Sequence, residues 1–199
     1  MERIVTIDSE LKDFVITKLR TELNPLLTYH NFEHTLNVFD ATQMLCEGEK
    51  LNETTTYLML TAALFHDSGF LIARENHEQL SCGLAKKHLP HFDFSAAEIE
   101  KICWIIMATK TGHAPQNVLE KIIKDADLDY LGTNKYEEIS AKLFTELRNF
   151  KLIEENTEHW NKLQVNFLKA HEYYTVTANK LRNEAKQKTL NLLLQKSNV

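Results

Sequence analysis

The 199-residue sequence has only five glycines and three prolines, and most of them fall between periodic apolar segments. That distribution marks a helical chain, and no alternating stretch long enough for a strand competes with it. Three cysteines, Cys46, Cys82 and Cys103, stand far apart with no C-x-x-C pair. Their spacing argues against a disulfide framework or a thiolate zinc site, so they read as buried, reduced thiols. No run approaches the roughly 18 apolar residues that a membrane span requires. The opening stretch, MERIVTIDSELKDF, is charged from its second residue and has no long apolar segment. No signal peptide is expected, and the location expected is cytoplasmic. Positive charge is not concentrated either: 23 lysines and arginines stand against 28 acidic residues, a net charge of −5, with no basic block. Extended nucleic-acid binding is therefore not expected, although a few cations around a small pocket remain compatible with this balance.

What is present is an ordinary globular composition, 43% hydrophobic and 26% charged, typical of folded rather than disordered chains. The length is enough for one domain, 1–199, with a sizeable core. The fold class expected is all-α. A first helix runs from Asp8 or Ser9 to Leu23, ended by Asn24-Pro25. A second starts between Asn31 and His34 and stops at Gly48. A third follows Asn52 as N-cap and finishes at His66-Asp67, and a fourth spans Glu75 to His88. Ser95-Ala96-Ala97-Glu98 reads as a capping box for a fifth helix. Pro115 suits the first turn of a sixth, and Asn134-Lys135-Tyr136-Glu137 resembles a cap for a seventh. One or two amphipathic helices follow from Asn156, with Trp160, Leu163, Phe167, Leu168, Val176, Leu181, Leu190 and Leu193 as apolar positions. The apolar tail could also face a partner, so an oligomer is compatible with the sequence.

Chemistry concentrates in three clusters. Ala63-Leu64-Phe65-His66-Asp67-Ser68-Gly69 ends an apolar run in an adjacent imidazole and carboxylate. Burying both is costly unless they are partnered. A divalent cation takes both donors at once, and the alternatives are that the two side chains pair with each other or cap a helix. Tyr29-His30-Asn31-Phe32-Glu33-His34 places two imidazoles at i, i+4, on one face if the segment is helical. They could share an ion, divide ligation and proton transfer, or be satisfied by backbone groups. Lys124-Asp125-Ala126-Asp127-Leu128-Asp129 sets carboxylates in an apolar helix, with Asp127 one turn beyond Ile123 on the buried stripe. A buried carboxylate without a partner neutralises, whereas Asp125 and Asp129 are equally readable as a solvated acidic face.

The order His34, His66-Asp67, Asp127 resembles the H…HD…D signature of the HD superfamily of metal-dependent phosphohydrolases, over residues 24–135. Tyr29 to His34 is similar to the Y-H-N-x-x-H element of cyclic-nucleotide phosphodiesterases. Ile105 to Thr109 resembles those enzymes too, with Lys110 where they carry an acidic residue. The resemblance implies an HD-domain helical bundle with extra C-terminal helices (136–199). It also implies His34, His66, Asp67 and Asp127 as metal ligands and His30 as general acid, with Asp125 and Asp129 as outer-shell groups. Asp67 would bind the metal and orient its water. His77 matches one histidine of the family's dinuclear members, but Ala108 stands where another belongs, with His113 the only nearby substitute. One tightly held metal is therefore expected, and Glu78 is a candidate pocket acid or base.

A site of two imidazoles and two carboxylates suits Mn, Fe, Co, Ni or Zn better than Mg or Ca. Such an ion makes hydroxide available near neutral pH and polarises a phosphoryl oxygen, while His30 is placed to protonate the leaving oxygen. Arg74, Lys110 and Lys124 are candidates to hold phosphate. The function expected is hydrolysis of a small phosphorylated substrate, a nucleotide or similar ester. A nucleotide-binding sensory module that keeps its metal is the alternative, and a di-iron oxygenase is disfavoured by Ala108.

Overall fold

The computed structural model describes residues 7–197, so the first six residues of the stretch read for a leader lie outside it. Among the described residues there are nine α-helices and no strand. They are α1 (Ser9–Glu22), α2 (Phe32–Gly48), α3 (Glu53–Phe65), α4 (His77–His88), α5 (Ala96–Met107), α6 (Val118–Asp127), α7 (Tyr136–Asn149), α8 (Thr157–Ala170) and α9 (Val176–Ser197). Single 3-10 turns follow α3, α4 and α6. No described helix is long and apolar enough to cross a membrane.

The core is built round α3. Every residue from Leu58 to Phe65 is buried, as a helix apolar on all sides must be. The inward stripes of α1 (Leu11, Val15, Leu19), α2 (Val38, Leu45), α5 (Ile102, Ile105, Ile106) and α6 (Ile122, Ile123) surround it in one hydrophobic cluster. α3 therefore delivers its C-terminal His66 and Asp67 into the middle of the protein.

The caps explain most boundaries. Asn52 accepts the Thr55 amide at 2.8 Å, and Ser95 with Glu98 forms the full capping box. Two expected starts differ. The sixth helix begins at Val118 because Asn117 accepts the Leu119 and Glu120 amides, which leaves Pro115 in the loop before it. α7 has no side-chain cap from Asn134; Lys135 is its N-cap residue, and the Lys135 amide reaches Thr133 Oγ1.

A second, smaller cluster joins the turn after α6 to the C-terminal helices through Leu131, Tyr136, Val165, Leu168, Leu190 and Leu193. Of the positions expected to be apolar there, Leu163, Phe167, Val176 and Leu181 are exposed. The buried stripe of α8 instead runs through Gln164, Val165 and Leu168, with Gln164 receiving hydrogen bonds from Tyr136 and Ser140 of α7. Gly132 permits the close approach of α9, since a Cβ there would lie 2.4 Å from the Arg182 carbonyl oxygen.

Candidate metal centre

Three helix ends converge. Asn31 caps α2 by accepting the Glu33 and His34 amides at 2.9 and 3.2 Å, which fixes His34 in the first turn. The Tyr29 ring packs on the His34 imidazole at 4.6 Å. His66 closes α3, and its Nδ1 lies 2.8 Å from the Ala63 carbonyl oxygen. A carbonyl only accepts, so the proton sits on Nδ1 and the Nε2 lone pair turns toward His34 Nε2, 3.3 Å away. Asp67 Oδ2 is 3.3 Å from His66 Nε2 and 3.4 Å from His34 Nε2. Asp127, last residue of α6, brings Oδ1 to 3.1 Å from His34 Nε2 and 3.7 Å from His66 Nε2. The ligand atoms of His34, His66 and Asp127 lie within 4.8 Å of one another.

These residues fit a divalent ion. Asp67 Oδ2 is buried and has no hydrogen-bond partner among the described residues, a costly state for a carboxylate oxygen. It faces the two imidazole nitrogens that Asp127 also approaches, and a cation held there would partner it as well. Without a cation, protons take its place. Burial disfavours imidazolium, yet Asp127 and Asp67 hold His34 above its ordinary pKa and Asp67 and Asp127 hold His66 well above it. The carboxylates shift the opposite way despite their burial: His66 and His34 hold Asp67 well below the usual range, and His34 and His66 do the same for Asp127.

The turn after α3 is held from α4. The Ser81 hydroxyl donates to the His66 carbonyl and accepts the Gly69 amide, both at 2.7 Å. Gly69 is required there, because a Cβ would fall 1.9 Å from the His77 carbonyl oxygen. On the other side of Asp67, His77 Nε2 lies 3.5 Å from Oδ1, and Glu78 Oε1 is 3.7 Å from the same nitrogen. His77 and Glu78 thus stand beside Asp67 but outside the four-donor cluster.

His30 precedes α2 instead of lying on it. Asn31 is the cap, in extended conformation, so the two imidazoles do not line up on one helical face; their rings are 5.9 Å apart and nearly perpendicular. His30 is fixed instead by Glu146 of α7, a fully buried carboxylate that the sequence reading passed over. Glu146 Oε2 accepts the Tyr29 and His30 amides at 2.8 and 2.9 Å, while Oε1 meets His30 Nδ1 and receives Arg74 Nη1 at 3.2 Å. Burial alone would raise the Glu146 pKa, but His30 and the two amides hold it below the ordinary value. The Phe70 ring stacks on both His30 (4.5 Å) and His77 (4.2 Å). Glu146 lies beyond residue 135, where the core was expected to end, and it is separated from His30 by 116 positions. In sequence it is one more glutamate in an amphipathic helix; the only signal was its place on the buried side of α7.

Several expected groups are committed elsewhere. Asp125 is buried and accepts the Tyr174 and Thr175 amides and the Thr175 hydroxyl, so it is neither an outer-shell group nor a solvated one. It anchors the segment that leads into α9. Asp129 pairs with Arg182 at 2.7 Å. His113 Nε2 is hydrogen-bonded to Glu120 at 2.9 Å, and His113 is not part of the compact His34–His66–Asp127 group. Lys124 donates to the carbonyls of Ala108 and Lys110, tying the α5–α6 loop. Lys110 is exposed and Arg74 is held by Glu146.

A cavity of about 280 Å³ reaches the cluster from the side of α2, α7 and α9, with His34 and Asp127 in its wall. Tyr29, Tyr130, Lys135 and Arg182 line it further out.

The family model for the HD domain matches residues 31–129. The matched span takes in His34, His66, Asp67 and Asp127 and leaves out His30 and Glu146. No curated protein and no solved structure matches the chain.

Proposed function

Through residues 31–129 this chain belongs to the HD superfamily of metal-dependent phosphohydrolases, and on that footing we propose that it hydrolyses a phosphate ester of a nucleotide or similar small molecule. In this reading His34, His66, Asp67 and Asp127 hold one divalent transition-metal ion. The observation that carries it is the convergence of the His34, His66 and Asp127 ligand atoms within 4.8 Å, with Asp67 Oδ2 beside both imidazoles and buried without a hydrogen-bond partner among the described residues. When bound, the ion supplies Lewis-acid polarisation of a phosphoryl oxygen and lowers the pKa of coordinated water.

The remaining work falls to the chain's own groups. Asp67 is the residue best placed to orient the attacking water, since its second oxygen points away from the imidazole pair toward His77. His30 is the proton donor: Glu146 engages Nδ1, which leaves Nε2 to protonate the departing oxygen. Glu146 is a positioning residue, holding both the ring and the backbone that carries it. Glu78, buried beside His77, is a candidate acid or base on the same side. The cavity lined by His34 and Asp127 can take the rest of a small substrate.

The test is a screen of nucleotides and simple phosphate esters with protein loaded in turn with Mn, Fe, Co, Ni and Zn. Metal-dependent release of phosphate or of a nucleoside monophosphate supports the reading. Metal and nucleotide binding with no turnover on any ester would replace it with a sensory module.

A further inference from the structure

Two of the three thiols face each other. Cys82 in α4 donates to the Cys103 carbonyl oxygen at 3.4 Å, and Cys103 in α5 donates to the Cys82 carbonyl oxygen at 3.6 Å. Each side chain therefore crosses the α4–α5 interface onto the backbone of the other residue. A disulfide needs Cα atoms within about 7 Å and side chains directed at one another, and each of these side chains is directed across the interface at the other residue. Both residues are buried, with 9% and 6% of their surface still exposed, beside the solvated Lys86–Glu100 ion pair. Cys46 is fully buried in α2 and contacts neither of them, which makes it an internal control.

We propose that Cys82 and Cys103 are an oxidisable dithiol that closes to a disulfide between α4 and α5 when the protein meets a peroxide. Cys103 is the attacking group. The neighbouring Cys82 side chain and the charge of Lys86 hold its pKa below the ordinary thiol value, whereas the Cys103 side chain and burial push Cys82 up. The Cys103 thiolate attacks one oxygen of hydrogen peroxide; the O–O bond breaks, and with one proton taken up the products are a sulfenic acid and water. The Cys82 sulfur then attacks the sulfenic sulfur, the S–S bond forms, the S–O bond breaks and a second water leaves with the Cys82 proton. The two thiols lose two electrons and the peroxide gains them.

The position gives the bond a consequence. Cys82 follows Ser81, whose hydroxyl bridges Gly69 and His66 behind the metal centre. α4 also opens with His77 and Glu78. A disulfide would fix that helix to α5 next to the clamp on the HD turn.

The full-length protein, as isolated, is exposed to hydrogen peroxide, alkylated and mapped by peptide mass spectrometry. The expected product is lighter by two hydrogens, with Cys82 joined to Cys103, Cys46 still alkylated, and the change reversed by dithiothreitol. In Cys82→Ser, Cys103 accumulates as a sulfenic acid that dimedone traps; in Cys103→Ser, oxidation at Cys82 is slower by at least about tenfold. A link through Cys46, separate adducts on Cys82 and Cys103 with no link, or full alkylation of all three thiols after peroxide would each overturn the proposal.

Discussion

Replacing Glu146 by Gln keeps the shape of the side chain and removes its charge. The carboxylate serves four donors: the Tyr29 and His30 amides on one oxygen, and His30 Nδ1 with Arg74 on the other. A Gln amide has one accepting oxygen, so if that oxygen keeps the two backbone amides, its NH2 group faces His30 Nδ1 and Arg74. Loss of charge-assisted hydrogen bonds at a buried group costs about 2–3 kcal/mol; the Arg74 pair adds little because its guanidinium is partly solvated. The effect on turnover is larger. An NH2 group opposite Nδ1 cannot accept from it, so the ring loses the carboxylate that fixes it for donation from Nε2. General-acid catalysis is worth roughly 10²–10⁴ in rate, so kcat should fall within that range while the metal content stays at the wild-type level. The native Glu146 also gives stability a defined pH dependence. Its folded pKa is depressed, so its contribution is complete above the ordinary glutamate value of about 4.3 and disappears as pH falls through the lower folded value. Wild-type and Glu146→Gln unfolding free energies should therefore converge in acid. Denaturant titrations across pH, metal analysis and turnover on the best ester from the screen read all three effects. Wild-type turnover in Glu146→Gln, or loss of metal together with turnover, would refute the assignment of Glu146 to His30.

The remaining expectations concern other parts of the site. Asp67→Ala should lose metal and activity together, measured by elemental analysis and ester hydrolysis, because it removes the oxygen that both imidazoles face. His30→Ala should keep its metal and lose most turnover; if the metal goes too, the division of roles between His30 and His34 is wrong. Asp125→Ala strips the acceptor from two amides and a hydroxyl, so it should destabilise the fold by about 3 kcal/mol and leave the metal content of the folded fraction unchanged. Gly69→Ala drives a methyl group into the His77 carbonyl and should cost at least about 3 kcal/mol in thermal or denaturant unfolding.

What could be read before the structure followed from periodicity and from the cost of burying polar groups. The apolar run into His66-Asp67 announced a buried helix ending in two donors, and α3 is that helix. Asn52 and Ser95 mark their boundaries because caps act within a few residues. The pairing of Glu146 with His30 was not legible, since it depends on how α7 returns to the start of α2. Asp125 and Asp127 illustrate the same limit at short range. Two residues apart on α6, they point to different neighbours: Asp127 to the imidazoles and Asp125 to the backbone at Tyr174 and Thr175. Helical spacing singles out Asp127, but it gives no sign that Asp125 is buried against the segment before α9. Pro115 suits a helix start by a real preference, but Asn117 overrides it by capping two amides.

The most direct test of the account is elemental analysis of the purified protein after transition-metal supplementation, set beside the Asp127→Asn variant. The expected result is about one transition metal per wild-type chain, as for a single site of nitrogen and oxygen donors, and a marked loss in the variant. A wild-type protein that retains no metal under any supplementation would contradict it.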